Sequence, residues 1–225
     1  SNALQSYNDE GDNEILNKKT NKPRTRFVEG QSMNAIWAVR SLGINPATGQ
    51  EVYLTKDGKT TTEWRAEDQV VCGDAMPKCS GTFGVNMDYR GIFMNLSFYY
   101  QFGGQTYNQT LVDRVENADI TMNVDKRIYN SVWKKPGDVV DFAYNRFSVT
   151  KPSSRFVQDL NELRMSSLNV GYDFRHCAFM ENSVIKQLKA SFYMDDVFRA
   201  STVKAERGLT YPFARTFSFS LQATF

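Results

Sequence analysis

The sequence predicts an all-β fold: antiparallel strands of a partial transmembrane β-barrel, with a long helix-containing extracellular loop. Three observations carry this. The stretch "RTFSFSLQATF" alternates Phe217, Phe219, Leu221, Ala223 and Phe225 with Thr216, Ser218, Ser220, Gln222 and Thr224. A period of two places these sets on opposite faces of one strand. A second stretch carries Ile92, Met94, Leu96, Phe98, Tyr100 and Phe102 at every second position, over 11 residues. Typical strands run ~5–6 residues, whereas a tilted strand needs ~9–11 to cross a bilayer. Finally, the connections alternate between short (57–58, 90–91, 176–183) and long (103–162, 195–212). In an antiparallel sheet the long ones gather at one end, as in outer-membrane barrels.

Composition narrows the function. Hydrophobic residues are 41% and charged residues 23% of 225, both ordinary for a folded chain. Aromatic residues, at 13%, are abundant enough to call for a surface that accepts Phe and Tyr. Lys and Arg number 27 against 25 Asp and Glu, a net charge of +2, so there is no basic stripe for nucleic acid. No apolar run approaches the ~18 residues of a membrane helix, which leaves strands as the means of crossing. Cys72, Cys79 and Cys177 are an odd set and make no disulfide framework. Cys72 and Cys79 could pair across "CGDAMPKC", and three free thiols fit equally well. His176 is the only histidine, and no CxxC, HxxxH, GxSxG, GxGxxG or P-loop spacing occurs. The expectation is a non-enzyme without metal or cofactor.

In chain order, "SNA" (1–3) looks like the remnant of a removed purification tag, so the natural N-terminus is expected to lie elsewhere. Residues 4–25 are polar and aperiodic and read as a loop or linker. Residues 26–225 read as the barrel strands. In "SMNAIWAVRSL" Met33, Ala35, Trp37 and Val39 share one face, and Asn34, Ile36, Ala38 and Arg40 the other. "INPATGQ" is a turn using Pro46 and Gly49. "EVYLTK" and "TTTEWR" flank Asp57–Gly58, a strong hairpin signal. Residues 73–81 read as a connection. Phe83, Val85, Met87 and Tyr89 then lead through "YRG" into the long strand at 92–102. Between 103 and 162, "TLVDRVENA" and "NVDKRIYNSVW" have helical spacing. A connection this long inside a β-protein is usually functional. Strands follow at 164–174, 185–194 and 213–225.

Candidate ligand or partner contacts are the loop aromatics Trp64, Tyr107, Tyr129 and Trp133. Their rings could stack on sugar faces. The competing reading packs them into the loop's own core, and it is favoured for Trp133, which sits in a predicted helix. Asp195 and Asp196 are adjacent in a strand, where neighbours point to opposite faces and do not share a proton or metal. The terminal strand is more specific. Termini usually fray, yet the alternation runs to the last residue. A barrel must close on its last strand, because unpaired backbone groups cannot stand in lipid. The rival classes are a soluble all-β carbohydrate-binding module and a cell-surface structural domain.

Several motifs in order resemble the C-terminal part of SusC/RagA-like TonB-linked (TonB-dependent) outer-membrane receptors and transporters: "AIWAVRSLGINPATGQEVY", "GDAMPKCSGTFGVNMDYRGIFMNLSFYYQFGG", "TLVDRVENAD", "WKKPGDV" and "ERGLTYPFARTFSFSLQATF". Cys79 and Ser220 depart from the family pattern. The resemblance implies that this chain holds about the last third of a roughly 22-stranded barrel and nothing of the plug. It implies import of oligosaccharides or peptides, with a SusD-like surface lipoprotein as partner and with TonB engaging a missing N-terminal region. Outer-membrane lipid would surround the strands, and the 103–162 segment would be extracellular. Phe217, Phe219, Leu221, Ala223 and Phe225 would form the C-terminal strand signal read during membrane assembly. The isolated piece would not transport, and its open edges predict a non-native oligomer or an incomplete sheet.

Overall fold

The computed structural model describes residues 2–17, 21–118, 121, 125–143, 149–181, 184–204 and 215–225. The fold is predominantly antiparallel β, as expected, and divides into two units. The first comprises Ser1–Met76 with Gly104–Asp159, the second Pro77–Gly103 with Leu160–Phe225.

The first unit is built on β1 (Ala35–Ile44), β2 (Glu51–Leu54), β3 (Thr60–Thr61) and β4 (Gln69–Asp74), in the order β3-β2-β1-β4. The β1–β2 turn forms where Asn45 accepts from Thr48 and Gly49 through its carbonyl, with Gly49 at φ 71°. The Asp57–Gly58 hairpin also forms, with Gly58 at φ 80°. Two features depart from the sequence reading. Residues Ala35 to Val39 are buried on both faces rather than alternating. β4 lies in a stretch read partly as connection. Its "QVVCGD" is short and lacks alternation, and only pairing with β1 makes it a strand.

The polar loop expected at 4–25 is corrected over its first part by helix α1 (Asn2–Leu16). Its buried positions are Asn8, Gly11 and Ile15, a helical spacing that a search for apolar periodicity overlooks. Tertiary bonds hold it rather than propensity. The Asn8 side chain bonds both the amide and the carbonyl of Phe27. Asp12 accepts from Arg26 at 2.5 Å and Gln69 at 2.8 Å, and Lys151 donates to the Ile15 and Leu16 carbonyls.

The connection between the long strands carries α2 (Gln109–Leu111), a π-helical turn (Val112–Glu116) and α3 (Arg127–Ser131), matching the two helical expectations in shortened form. Residues 123–124 of the second expected helix fall outside the described residues.

The second unit is one open sheet in sequence order: β5 (Cys79–Tyr89), β6 (Ile92–Tyr107), β7 (Val157–Asp173), β8 (Gln187–Ser201) and β9 (Phe217–Thr224). β1–β4 are not part of it, so strands 26–225 do not make one continuous wall. Among the described residues its edge strands, β5 and β9, are not paired with each other. The β5–β6 hairpin turns on Arg90 (φ 50°) and Gly91 (φ 87°), the two positive φ values of a type I′ turn.

β6, β7 and β8 have 16, 17 and 15 residues, longer than read from sequence. β8 passes through Asp195 and Asp196 instead of ending there. A bulge opposite Met165/Ser167 lets it continue, and Asp196 takes φ 51° within it. The alternation argument for the Asp pair therefore does not apply. Asp195 accepts from the Tyr193 hydroxyl. Residues 205–214, with the expected loop and the expected start of the last strand at Phe213, lie outside the described residues.

The faces of β6 and β7 are matched by one close approach. A Cβ built on Gly171 would lie 2.4 Å from both the Phe93 ring and the Ala190 carbonyl oxygen. Replacing Gly171 with Val should cost about 1–3 kcal/mol by overpacking. Thermal unfolding of the detergent-solubilised chain, followed by near-ultraviolet dichroism, should show a lowered midpoint. An unchanged midpoint would contradict the Phe93–Gly171 packing.

Candidate functional site: an apolar sheet face and an ion-paired connecting segment

Directly paired residues of a sheet share a face. In the second unit Phe83 pairs Phe98, Val85 pairs Leu96, Met87 pairs Met94 and Tyr89 pairs Ile92. Further along, Leu168 pairs Met194, which pairs Phe217; Val170 pairs Phe192, which pairs Phe219; Tyr172 pairs Ala190, which pairs Leu221. The Phe93–Gly171 contact puts these two halves on the same side. One face is thus apolar across all five strands. The other carries Thr82, Asn86, Asn95, Ser97, Asn169, Ser191, Ser218, Ser220 and Gln222.

Among the described residues much of the apolar face is exposed. Phe217, Phe219, Leu221 and Phe225 are 69%, 73%, 65% and 72% exposed, and Met87, Tyr89 and Ile92 are each more than half exposed. Rings pack side by side along it: Phe83 stacks on Phe98 at 4.8 Å, and Phe192 on Phe217 at 6.1 Å. An apolar surface of this extent marks a partner or lipid interface rather than a water-facing wall. The five residues expected as the terminal strand signal are placed as follows. Phe217, Phe219, Leu221 and Ala223 lie on the apolar face, and Phe225 follows the strand's last residue.

The connecting segment, in the first unit, has its own small core of Val112, Val115, Phe142 and Phe156, with Tyr107, Leu111, Ile128 and Val132 against it. Beside this core Arg155 is clamped between two buried carboxylates. Its Nε and Nη2 donate to Glu51 at 3.1 and 2.8 Å; its Nη1 and Nη2 donate to Glu116 at 2.7 and 2.9 Å. Nη1 also donates to the Asp141 carbonyl, and the guanidinium lies 4.4 Å from the Phe156 ring centre. Glu116 further accepts from the Thr150 hydroxyl at 2.6 Å and the Ala143 amide at 3.1 Å. The Tyr53 hydroxyl donates to Glu51.

Burial opposes the Arg155 charge, but hydrogen bonds to both glutamates outweigh it and push the guanidinium further up than its already high value. Burial, reinforced by the Glu51 charge, raises the Tyr53 and Tyr107 hydroxyls above the ordinary tyrosine range. This is a structural clamp with every charged oxygen partnered.

The candidate aromatics are not gathered into one platform. Trp133 donates its indole N–H to the Pro46 carbonyl at 2.8 Å and lies flat against Gly49, where a Cβ would sit 2.5 Å from the ring. Trp64 donates to the Pro152 carbonyl at 2.9 Å, with the Lys151 ammonium 5.8 Å from its ring. Tyr107 packs on Phe156 at 5.8 Å. Tyr129 is the outward one, 76% exposed, with Lys134 over its ring.

Sequence reasoning missed Glu51, Glu116 and Arg155. They lie 104 and 39 residues apart and have no local pattern. Among the described residues no cluster suits a metal ion, and no helix is long and apolar enough to cross a membrane. Cys72, Cys79 and Cys177 are free thiols, and burial raises the Cys72 thiol.

No protein-family profile matches the chain, and no curated protein matches it by sequence. Among solved structures it is similar to the RagAB peptide importer in the open-open state, with a TM-score of 0.66 at 17% identity over 85% of this chain and 22% of that one. The closed-closed state of that importer gives 0.66 at 16% identity, over 85% and 23%. A further structure of the RagAB peptide transporter gives 0.65 at 17% identity, over 85% and 23%. The chain therefore shares its fold with a segment of these proteins and spans less than a quarter of their length.

Removing the clamp's cation should unseat the connecting segment. Arg155→Met leaves Glu51 and Glu116 buried without it and should cost about 3–5 kcal/mol. Arg155→Lys keeps the charge but loses the fork and should cost less. Urea unfolding and the rate of proteolytic cleavage within 108–156 check both. Equal stability of Arg155→Met and the parent would show that the clamp holds nothing.

Proposed function

We propose that the chain is a wall segment of a TonB-linked outer-membrane transporter of the SusC/RagA-like kind. The observation that carries this reading is the exposed apolar face over five antiparallel strands, backed by a mainly polar face that also holds Phe93, Tyr99 and Tyr193. That pattern suits a barrel wall with lipid outside and a wet lumen inside. A soluble carbohydrate-binding module would leave the same face in water, where it would drive aggregation. The fold shared with the RagAB importer supports the assignment.

On this reading the whole transporter imports oligosaccharides or peptides, works with a SusD-like lipoprotein and draws energy through TonB. The 108–156 connection would lie on the outer side, with Tyr129 as its outward aromatic. The odd-numbered residues of β9, with Phe225, would serve as the lipid-facing stripe and as a signal for membrane insertion. These 225 residues alone would not transport, and their uncovered edges at β5 and β9 would pair with further strands of the parent chain.

The face assignment predicts opposite outcomes at two positions of one strand. In the full-length protein, Phe219→Arg should sharply reduce folded, heat-modifiable protein in the outer membrane. A lipid-facing arginine costs about 2–4 kcal/mol near the bilayer midplane. Gln222→Arg on the other face should leave assembly near the parent level. Equal tolerance at both sites would rule out the proposed wall orientation.

A further inference from the structure

Helix α1 is fastened to the first unit mainly by polar groups. Ile15 is its one buried apolar side chain among the described residues, while Leu4, Tyr7 and Leu16 stay 50%, 40% and 49% exposed. Tyr7 adds a ring contact, 5.5 Å from Phe27. The other fastenings are hydrogen bonds and ion pairs: Asn8 to the Phe27 backbone, Asp12 to Arg26 and Gln69, Glu14 to Arg24, and Lys151 to the last carbonyls of the helix.

The helix has little stability of its own. Gly11 stands in its middle, and it carries no acidic residue in its first turn and no basic one in its last. Such features weaken a helix, and isolated helices of this length are marginal in water.

α1 lies over the Trp37 side of the β1–β4 sheet. Trp37, Val39, Gln69 and Val71 share that face through the pairs Trp37–Val71 and Val39–Gln69. Asp12 accepts from Gln69 at 2.8 Å and from Arg26 at 2.5 Å, and the Arg26 guanidinium stands 5.6 Å from the centre of the Trp37 ring. The fit is incomplete. Arg26 Nε and Trp37 Nε1 are buried donors with no hydrogen-bond partner among the described residues. Unpaired buried donors destabilise the docked state, and water would satisfy both once the helix lifted. β1 beneath is held differently, by ladders to both β2 and β4 and by burial of Ala35 to Val39.

We propose that α1 is a releasable cover: it undocks as a unit and uncovers Trp37 while the β1–β4 sheet stays folded. Local opening of this kind belongs to segments with few buried apolar contacts. The fastenings that hold it are largely ionic, so salt loosens it. Cover and sheet both belong to the first unit, so the device operates whether or not β5–β9 meet lipid.

Hydrogen exchange read by mass spectrometry, on the full chain in detergent micelles, tests this. Amides of α1 should be protected, yet exchange about a hundredfold faster than those of β1. Raising salt from about 0.05 to about 0.5 M should speed α1 exchange and leave β1 unchanged. Asp12→Asn removes the charge that holds Arg26 and should speed α1 exchange at least about tenfold, the worth of a charge-assisted hydrogen bond. Gly11→Ala should slow it about twofold to fivefold through helix propensity; the added Cβ meets Arg24 Cβ at 3.4 Å, an ordinary contact. Asp9→Asn, on the exposed side of the helix, is the control and should change neither. Equal protection of α1 and β1, no protection of α1 at all, or an Asp12→Asn effect shared equally by β1 would overturn the proposal.

Discussion

The two-residue period of a β-strand is the constraint on which the second unit depends. Successive side chains leave a strand on opposite faces, so a register that pairs Val170, Phe192 and Phe219 also pairs Gly171, Ser191 and Ser220. A one-residue slip in any strand would exchange apolar and polar sets along its whole length. The Arg90–Gly91 turn sets the β5–β6 register. Gly171 lets Phe93 lie across the β6–β7 seam. The bulge near Asp196 allows β8 to extend past a stretch where strict pairing fails. These local irregularities keep the apolar residues of the long strands on one face, while the other face stays mainly polar with Phe93, Tyr99 and Tyr193 among its members.

The connecting segment obeys a different rule. Its apolar core is small, and much of its definition comes from polar bonds around Arg155. Two carboxylates facing one guanidinium would be costly to bury if any oxygen lacked a donor. Thr150, Ala143 and Tyr53 supply the remaining donors. The clamp ties β2 to the π-helical turn and to the residues just before β7. It fixes the described parts of the connecting segment without a large core. The candidate rings Trp133 and Trp64 serve the same end, each donating its indole N–H to a proline carbonyl.

What sequence reading caught and missed follows from range. Asp57–Gly58 and Arg90–Gly91 act over four residues, and both turns formed. The alternations at 83–89, 92–102 and 217–223 act over one strand, and each apolar set shares one face of the sheet. α1 was missed because its buried positions are Asn8, Gly11 and Ile15 rather than an apolar stripe. β4 was missed because a six-residue strand that exists through pairing has no signal of its own. The Arg155 clamp was invisible because charges distant in sequence look like solvated surface until the chain brings them together.

The sequence by itself therefore determined the strand class, the tight turns and the apolar face of the long strands, since these rest on side-chain period and backbone sterics. Only the tertiary structure decided that β1–β4 form a sheet of their own, that the N-terminal stretch is helical, and that Arg155 holds the connecting segment between Glu51 and Glu116. Those outcomes depend on which distant groups can be satisfied together once water is excluded, and no local pattern encodes that.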